Sequence, residues 1–500
     1  MKEKILYILI AVVLLSGCEK FLDKPVKGKQ TFDSFYTTEA ECTQALIGCY
    51  QSLSPEDWWE MDYFWLIGDV CSDDAFKGNS IEGDQQEFGN MARWIIDSQN
   101  EWLDIKWRYS YISISRANLI IEYVPNADID ENLRNLIVAE AHFLRGLAYF
   151  ELVKNFGGAV LLDRQPAPSD LIPRSSIEDS WLFIENDFKH AADVLPLKSE
   201  QSGENMGRAT KGASLAYLAR VSLYQDKFAE AKSYSEQVIA LNDYQLEADF
   251  GNIWSVHNPN GIESIFEIQS NYDPVQYTGS ALPVLTRSRA DGGWGFGTPS
   301  SHLENFMQGD PRLIHTIIKH GDYVDEDHPE YDTQLDQNES GRINRKFYIG
   351  MDDRTPDDEY IKAPLNHILF RFADLLLIHA EASAQLGNDG PALQSLNDVR
   401  ERAGASLANE SGSGLLDMIL DERRLELALE GHRYYDLKRT GKLAFAMEDF
   451  VNYNLNISTD PYDAGNQQGV LFNSGIHTLF AIPQSEIDAS GGIIVQNPNY

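Results

Sequence analysis

Residues 213–241 read "ASLAYLARVSLYQDKFAEAKSYSEQVIAL". Large apolar side chains recur here at three- and four-residue intervals on both sides of the polar turn "QDKF", which is the periodicity of two amphipathic helices rather than of strands. Ala219 and Ala231 flank that turn. Small residues at those places let two helices approach closely, so the segment predicts an α-helical hairpin.

A second stretch repeats the pattern. "ADLLLIHAEASAQLGNDGPALQSLNDVRERA", residues 373–403, places "AEASAQLG" before a Gly/Asn/Asp turn and "PALQSLNDV" after it. Both hairpins resemble tetratricopeptide-repeat units, which bury their faces only by stacking on further helix pairs. Residues 177–241 predict three helices, 132–156 a longer one that stops at Gly157 and Gly158, 102–123 another, and 32–53 an early helix closed by Pro55. The expected fold is therefore mainly α, a tetratricopeptide-like helical-repeat scaffold over residues of about 30–250 and 366–445. Between them, about 250–366 is a loop-rich, ligand-binding insertion, dense in Gly, Asp, Asn and Pro, and 446–500 is an irregular C-terminal segment.

The N-terminus has a different character. A basic start, "MKEK", precedes the apolar run "ILYILIAVVLL", then Ser16, Gly17 and Cys18. That is a secretory signal over residues 1–17, and Leu15-Ser16-Gly17-Cys18 resembles a bacterial lipobox with Cys18 as the lipidation site. Residues 18–500 are then one domain held to a membrane lipid through Cys18. Cys42, Cys49 and Cys71 remain. The first two share a helix face about 10 Å apart along the axis, too far for a disulfide, so buried thiols are expected and no metal site.

A formal net charge of −36 repels phosphate backbones and excludes a nucleic-acid partner. "DERRLELALEGHRYYDLKRTG", residues 421–441, puts Glu422, Glu426 and Glu430 on one helix face, with Arg423, Arg433 and Arg439 in reach of partners. A structural ion-pair network is the reading that such charge density favours. "GWGFG", from Gly293, lacks the Lys-Ser/Thr of a phosphate loop, and no cofactor or catalytic motif is present. "DEDHPEYD", residues 325–332, could hold calcium loosely, and a solvated acidic loop is the favoured reading.

What remains is aromatic display in irregular segments. Trp58, Trp59 and Trp65 lie in the loop-like stretch 55–95, and Tyr277 and Trp294 in the insertion. Sugar rings present C–H faces that pack on aromatic planes and hydroxyls that need polar partners. Asp57, Asp73, Asp74, Asn79 and Arg289 are candidate rim residues around Trp58, Trp59, Tyr277 and Trp294.

Six ordered motifs then resemble those of the SusD/RagB family of Bacteroidota surface lipoproteins. They are the lipobox; "AEAHFLRGLAYFELVKNFGGAVLL" (139–162); "GWGFGTPSSHLENFMQGDPR" (293–312); "LFRFADLLLIHAEASAQLG" with "LNDVRERAG" (369–404); "ILDERRLELALEGHRYYDLKRTG" (419–441); and "LFAIPQSEIDASGGIIVQNPNY" (479–500). The resemblance implies a lipid-anchored, surface-exposed outer-membrane protein without enzymatic activity. Such a protein captures a glycan and passes it to a SusC-like TonB-dependent transporter. Some relatives carry peptides or other cargo, which leaves a nutrient of that kind as an alternative. A surface glycoside hydrolase is a further alternative, and would need two carboxylates about 5 to 10 Å apart.

Overall fold

The computed structural model describes residues 35–53, 62–79, 83–167, 170–276, 278–322, 340–356, 362–466 and 468–500. Signal segment, Cys18, Asp57, Trp58, Trp59, Tyr277 and the acidic loop 325–332 lie outside the described residues.

The helices begin where short polar side chains satisfy their free N–H groups. Helix α1 (Glu39–Gln51) starts with a capping box in which Glu41 N donates to Thr38 Oγ1 at 3.3 Å and Thr38 N to Glu41 Oε2 at 3.0 Å. Helix α2 spans Asp62–Val70, α3 Glu101–Tyr123 under an Asn100 cap, and α4 Glu131–Phe156 under Asp130. Gly157, at φ 79°, ends α4 in a conformation that disfavours a Cβ. Ser176 caps α5 (Ile177–Val194) and Thr210 caps α6 (Lys211–Leu223). Helix α7 is Phe228–Leu241. The stretch 55–95, expected as loop, contains α2 and a short helix, Gln86–Ala92. Phe64, Leu66, Ile67 and Val70 all bury, and that burial outweighs the glycine and aspartate content that suggested a loop.

After the insertion come α8 (Phe372–Gln385), α9 (Asp389–Arg402), α10 (Gly412–Leu427), α11 (Arg433–Arg439) and α12 (Leu443–Asn452). The two hairpins foreseen from sequence are α6–α7 and α8–α9. They stack, with α7 against α8, although about 130 positions separate them in sequence. Ala219 and Ala231 are fully buried in the first hairpin and Ala380 and Ala392 in the second, so backbones meet where the small residues allow it. Leu376, Leu377, Leu396, Val399, Leu415 and Ile419 close the core between α8, α9 and α10.

Short strands fasten the insertion. β1 (Ala75–Phe76) pairs antiparallel with β3 (Thr298–Pro299), β2 (Ser264–Ile268) with β6 (His367–Arg371), and β4 (Ile317–Ile318) with β5 (Ile343–Asn344). The β2–β6 ladder joins the two ends of the insertion, which is what brings α7 and α8 together. At the C-terminus the chain returns to α4: Asn497 Nδ2 donates to Phe156 O at 3.0 Å, and Phe480 N to Asn155 O at 2.9 Å.

The charged segment 421–441 is a buried ion-pair network. Glu422 and Glu426 both meet Arg312 Nη1, at 2.6 and 2.8 Å. Glu426 also holds Arg371 at 2.5 Å and pairs with Arg402. Glu430 takes Arg371 on both oxygens, at 2.8 and 2.7 Å, and Lys346 at 2.6 Å. Asp374 of α8 pairs with Arg220 of α6 and accepts from Arg423 of α10 at 2.8 Å. These charges are mutually compensated out of water, so the cluster specifies which helices adjoin. Cys42, Cys49 and Cys71 are free, buried thiols.

Candidate ligand face

The turn that leads from α2 into β1 and the loop that leads into β3 lie more than 200 residues apart in sequence, and the β1–β3 pair brings them side by side. Its register, Ala75 to Pro299 and Phe76 to Thr298, is reinforced on both flanks. Gly297 N donates to Lys77 O and Ser300 N to Asp74 O, each at 2.8 Å, while Ser300 Oγ donates to Asp73 O at 2.7 Å. Gln468, from the C-terminal segment, completes the seam: its Nε2 donates to Val70 O at 2.9 Å and Ala75 O at 2.7 Å, and its Oε1 accepts from Lys77 N at 3.3 Å.

The glycine-rich run 292–297 is framework. Trp294 N donates to Val284 O and Phe296 N to Leu285 O, each at 2.8 Å. A Cβ on Gly293 would lie 2.1 Å from Arg287 O, and one on Gly78 2.0 Å from Gly295 O. Phe296 is 1% exposed and sits edge-on to Phe88 at 6.3 Å. Trp294 is half-buried with part of its indole packed on the core.

At the outer rim Arg289, and from beneath it Asn79, which was expected at the rim and is buried at 9% exposure, converge on a residue that sequence reading passed over. Asp84 Oδ2 accepts from Asn79 Nδ2 at 3.3 Å and pairs with Arg289. The Arg289 and Asp84 side chains are 38% and 44% exposed, which leaves the pair open to solvent and to a polar ligand. Asn79 takes φ 59°, a left-handed conformation that asparagine tolerates, and this turns its amide toward Asp84. Lys77 lies inside this rim, with Nζ 3.4 Å from Gly83 O, and burial pushes its ammonium down to about 8.

Asp73 and Asp74 correct the sequence reading. Both were expected at the rim, and both are buried, 1% and 0% exposed. Arg433 grips Asp73 through Nε and Nη2 at 2.8 and 2.9 Å, and Arg424 Nε donates to Asp74 Oδ1 at 2.8 Å. Burial alone would raise the Asp73 carboxyl, but Arg424 and Arg433 together hold it well below the carboxylate range. Asp74 is raised by burial and by the charge of Asp73, against the pull of Arg424. These two residues tie the turn before β1 to the buried ion network. Trp65 likewise turns inward from α2, T-shaped against His367 at 4.8 Å, beside the Lys106 ammonium.

The candidate face thus offers a planar guanidinium and a carboxylate, braced by the buried Asn79 amide, in a loop system that also carries the half-buried Trp294 indole. Such groups donate to and accept from neutral hydroxyls while an aromatic surface takes apolar C–H groups.

Two family models match this chain. One, described as the SusD family, covers residues 263–500, and one described as starch-binding associating with outer membrane covers residues 20–223. A SusD-like protein P2 of Formosa agariphila is 26% identical over 534 residues, covering 100% of each chain. A SusD-like protein of Bacteroides ovatus is 26% identical over 469 residues, 87% of this chain and 82% of that one. Among solved structures, a laminarin-binding SusD-like protein superposes with TM-score 0.79 at 26% identity, covering 93% of this chain and 100% of its own. Surface glycan-binding protein A of Bacteroides thetaiotaomicron, in complex with laminarihexaose, gives TM-score 0.77 at 27% identity over 93% and 100%.

Proposed function

Because the chain belongs to the SusD/RagB family, we propose that it is a non-catalytic, carbohydrate-binding lipoprotein of the outer-membrane surface, anchored through Cys18, that delivers bound glycan to a TonB-dependent transporter. The observation that carries the ligand assignment is the convergence of Asn79 and Arg289 on the half-exposed Asp84, in a loop system that also holds Trp294. The laminarin-binding SusD-like protein and the laminarihexaose complex, which share the fold over 93% of this chain, support a glycan as the ligand.

On this reading the scaffold fixes the rim before ligand arrives. Asp84 accepts hydroxyl protons, Arg289 donates to hydroxyl oxygens, the buried Asn79 holds Asp84 in place, and the indole covers a sugar face. Each hydrogen bond to a charged group contributes about 1.5 to 3 kcal/mol against water, so a few suffice for a site that must also release its cargo. Glu422, Glu426, Glu430 and Asp436 are each committed to arginines or Lys346, which supports binding without hydrolysis. An acylated Cys18 keeps the protein at the membrane, where a transporter partner resides.

Affinity electrophoresis of the chain beginning at residue 19, through gels cast with laminarin, starch, xylan and mannan, tests this. Retardation by at least one glycan, without new reducing ends, is expected. Passage through all of them unretarded would overturn glycan binding, and release of reducing ends would overturn the non-catalytic assignment.

A further inference from the structure

Helices α4 and α5 pack closely where Gly146 leaves room: a Cβ there would lie 3.1 Å from Phe188 Cε1 and 3.3 Å from Asp187 Cβ. One turn before Gly146, His142 of α4 faces His190 of α5, with ring centres 4.1 Å apart and planes tilted by 38°.

The groups around the pair decide what each ring can do. Arg145 holds Asp187 through two bonds, Nε to Oδ2 at 2.8 Å and Nη2 to Oδ1 at 2.7 Å, so this carboxylate is charge-compensated and acts only as an acceptor. His142 Nδ1 lies 2.6 Å from the same Oδ1 and therefore carries a proton on that nitrogen. The 3.4 Å approach of Arg145 Nη2 to Nδ1 is then a contact between two donors, tolerated because Asp187 accepts from both. With Nδ1 committed, Nε2 is the nitrogen that His142 presents to a ligand. A carboxylate behind one imidazole nitrogen is the arrangement that orients histidines toward a metal ion and raises their basicity. His190 is exposed, and no hydrogen bond holds its ring among the described residues. Burial against α4 and the neighbouring His142 hold its imidazole below the usual value, against the pull of Asp187 and Asp193, so it offers a lone pair at pH 7. Asp193, one turn further along α5, is exposed and adds negative charge beside it.

From two imidazoles on adjoining helices, one with its Nδ1–H held by a buried carboxylate, we infer that His142 and His190 form a binding site for a late first-row divalent metal ion such as Zn²⁺. Imidazole nitrogen suits Zn²⁺, Cu²⁺ and Ni²⁺, whereas Mg²⁺ and Ca²⁺ prefer oxygen. Zinc–nitrogen bonds of about 2.0 to 2.1 Å put two tetrahedral ligands about 3.3 Å apart. Rings with centres 4.1 Å apart reach that spacing through side-chain rotation of the exposed His190. No group of three or more His, Cys, Asp or Glu ligands stands together among the described residues, so water fills the remaining positions and the ion exchanges. While bound, it clamps α4 to α5.

Titration calorimetry of the chain from residue 19 with Zn²⁺, and with Mg²⁺ as the oxygen-preferring control, tests this. Saturable binding of Zn²⁺ and none of Mg²⁺ is expected, and Zn²⁺ should raise the melting midpoint of the parent. His190→Ala, at an exposed position, and His142→Ala are each expected to weaken Zn²⁺ about tenfold or more and to abolish that rise. Asp187→Asn, which keeps the shape of the side chain, is expected to cost about ten- to a hundredfold in affinity. His257→Ala removes an imidazole that is 73% exposed elsewhere, and is expected to leave Zn²⁺ binding unchanged. No saturable binding of Zn²⁺, an affinity unmoved by His190→Ala in a folded variant, or equal losses in His190→Ala and His257→Ala would each overturn the proposal.

Discussion

Arg433 grips Asp73 with both ends of its guanidinium, Nε to Oδ1 at 2.8 Å and Nη2 to Oδ2 at 2.9 Å. The contact joins α11 to the turn before β1, across 360 positions of sequence, and ties the candidate ligand face to the buried ion network. Arg433→Ala leaves Asp73 buried with Arg424 as its remaining close guanidinium. A loss of about 3 to 5 kcal/mol in unfolding free energy is expected, read from urea denaturation. A loss below about 1 kcal/mol would show that the pair is peripheral to folding.

Backbone clearance sets a second expectation. Gly78 has φ 81° and no room for a Cβ against Gly295 O, so Gly78→Ala costs about 2 kcal/mol or more. Gly203 also has a positive φ, 56°, but open space around it. Gly203→Ala is therefore expected to cost less, about 1 kcal/mol, and equal denaturation midpoints for the two variants would refute the clearance argument.

The hairpin crossing makes a third. Ala231 is fully buried where α7 meets α6, and Ala231→Leu overpacks it at a cost of about 1 to 3 kcal/mol. Thermal melting should show the shift. An unchanged midpoint would mean that the two helices do not meet closely there.

His432 gives the pH dependence a sign. Burial holds its imidazole down to about 4, below the unbound value of 6.5, so the unfolded chain takes up the proton first on acidification. Its contribution is intact above pH 6.5 and is lost as pH falls toward 4. Glu140, pushed up to about 7 by burial, acts oppositely, costing stability as pH rises from 4.5 to 7. The difference in unfolding free energy between pH 7 and pH 5 is expected to shrink in His432→Asn, by at most about 2 kcal/mol. An identical difference in parent and variant would contradict a partly buried imidazole held neutral.

The helical hairpins were legible because Ala219, Ala231 and the apolar positions around them fix periodicity locally. The ion network was legible in kind, since Glu422, Glu426 and Glu430 share a face on any helix. Its partners were not: Arg312, Arg371 and Arg402 reach it only through tertiary packing. For the same reason Asp73 and Asp74 read as an acidic doublet beside a loop, when their arginines lie about 350 residues onward. Asp84 carried no local signal, because its role arises from a contact with Arg289 across 205 positions. The glycines around Trp294 announced a tight backbone, and only the register of β1 with β3 showed that tightness to be support for a face.

The most direct test of glycan binding at this face is the affinity of parent and Arg289→Ala for the glycan that retards the parent, measured by titration calorimetry with thermal melting alongside. Arg289 is partly exposed, and its removal should leave the melting midpoint within about 2 °C while weakening binding roughly tenfold or more, the loss of one charge-assisted hydrogen bond. Unchanged affinity in a folded variant would place the glycan elsewhere on the molecule and contradict the account.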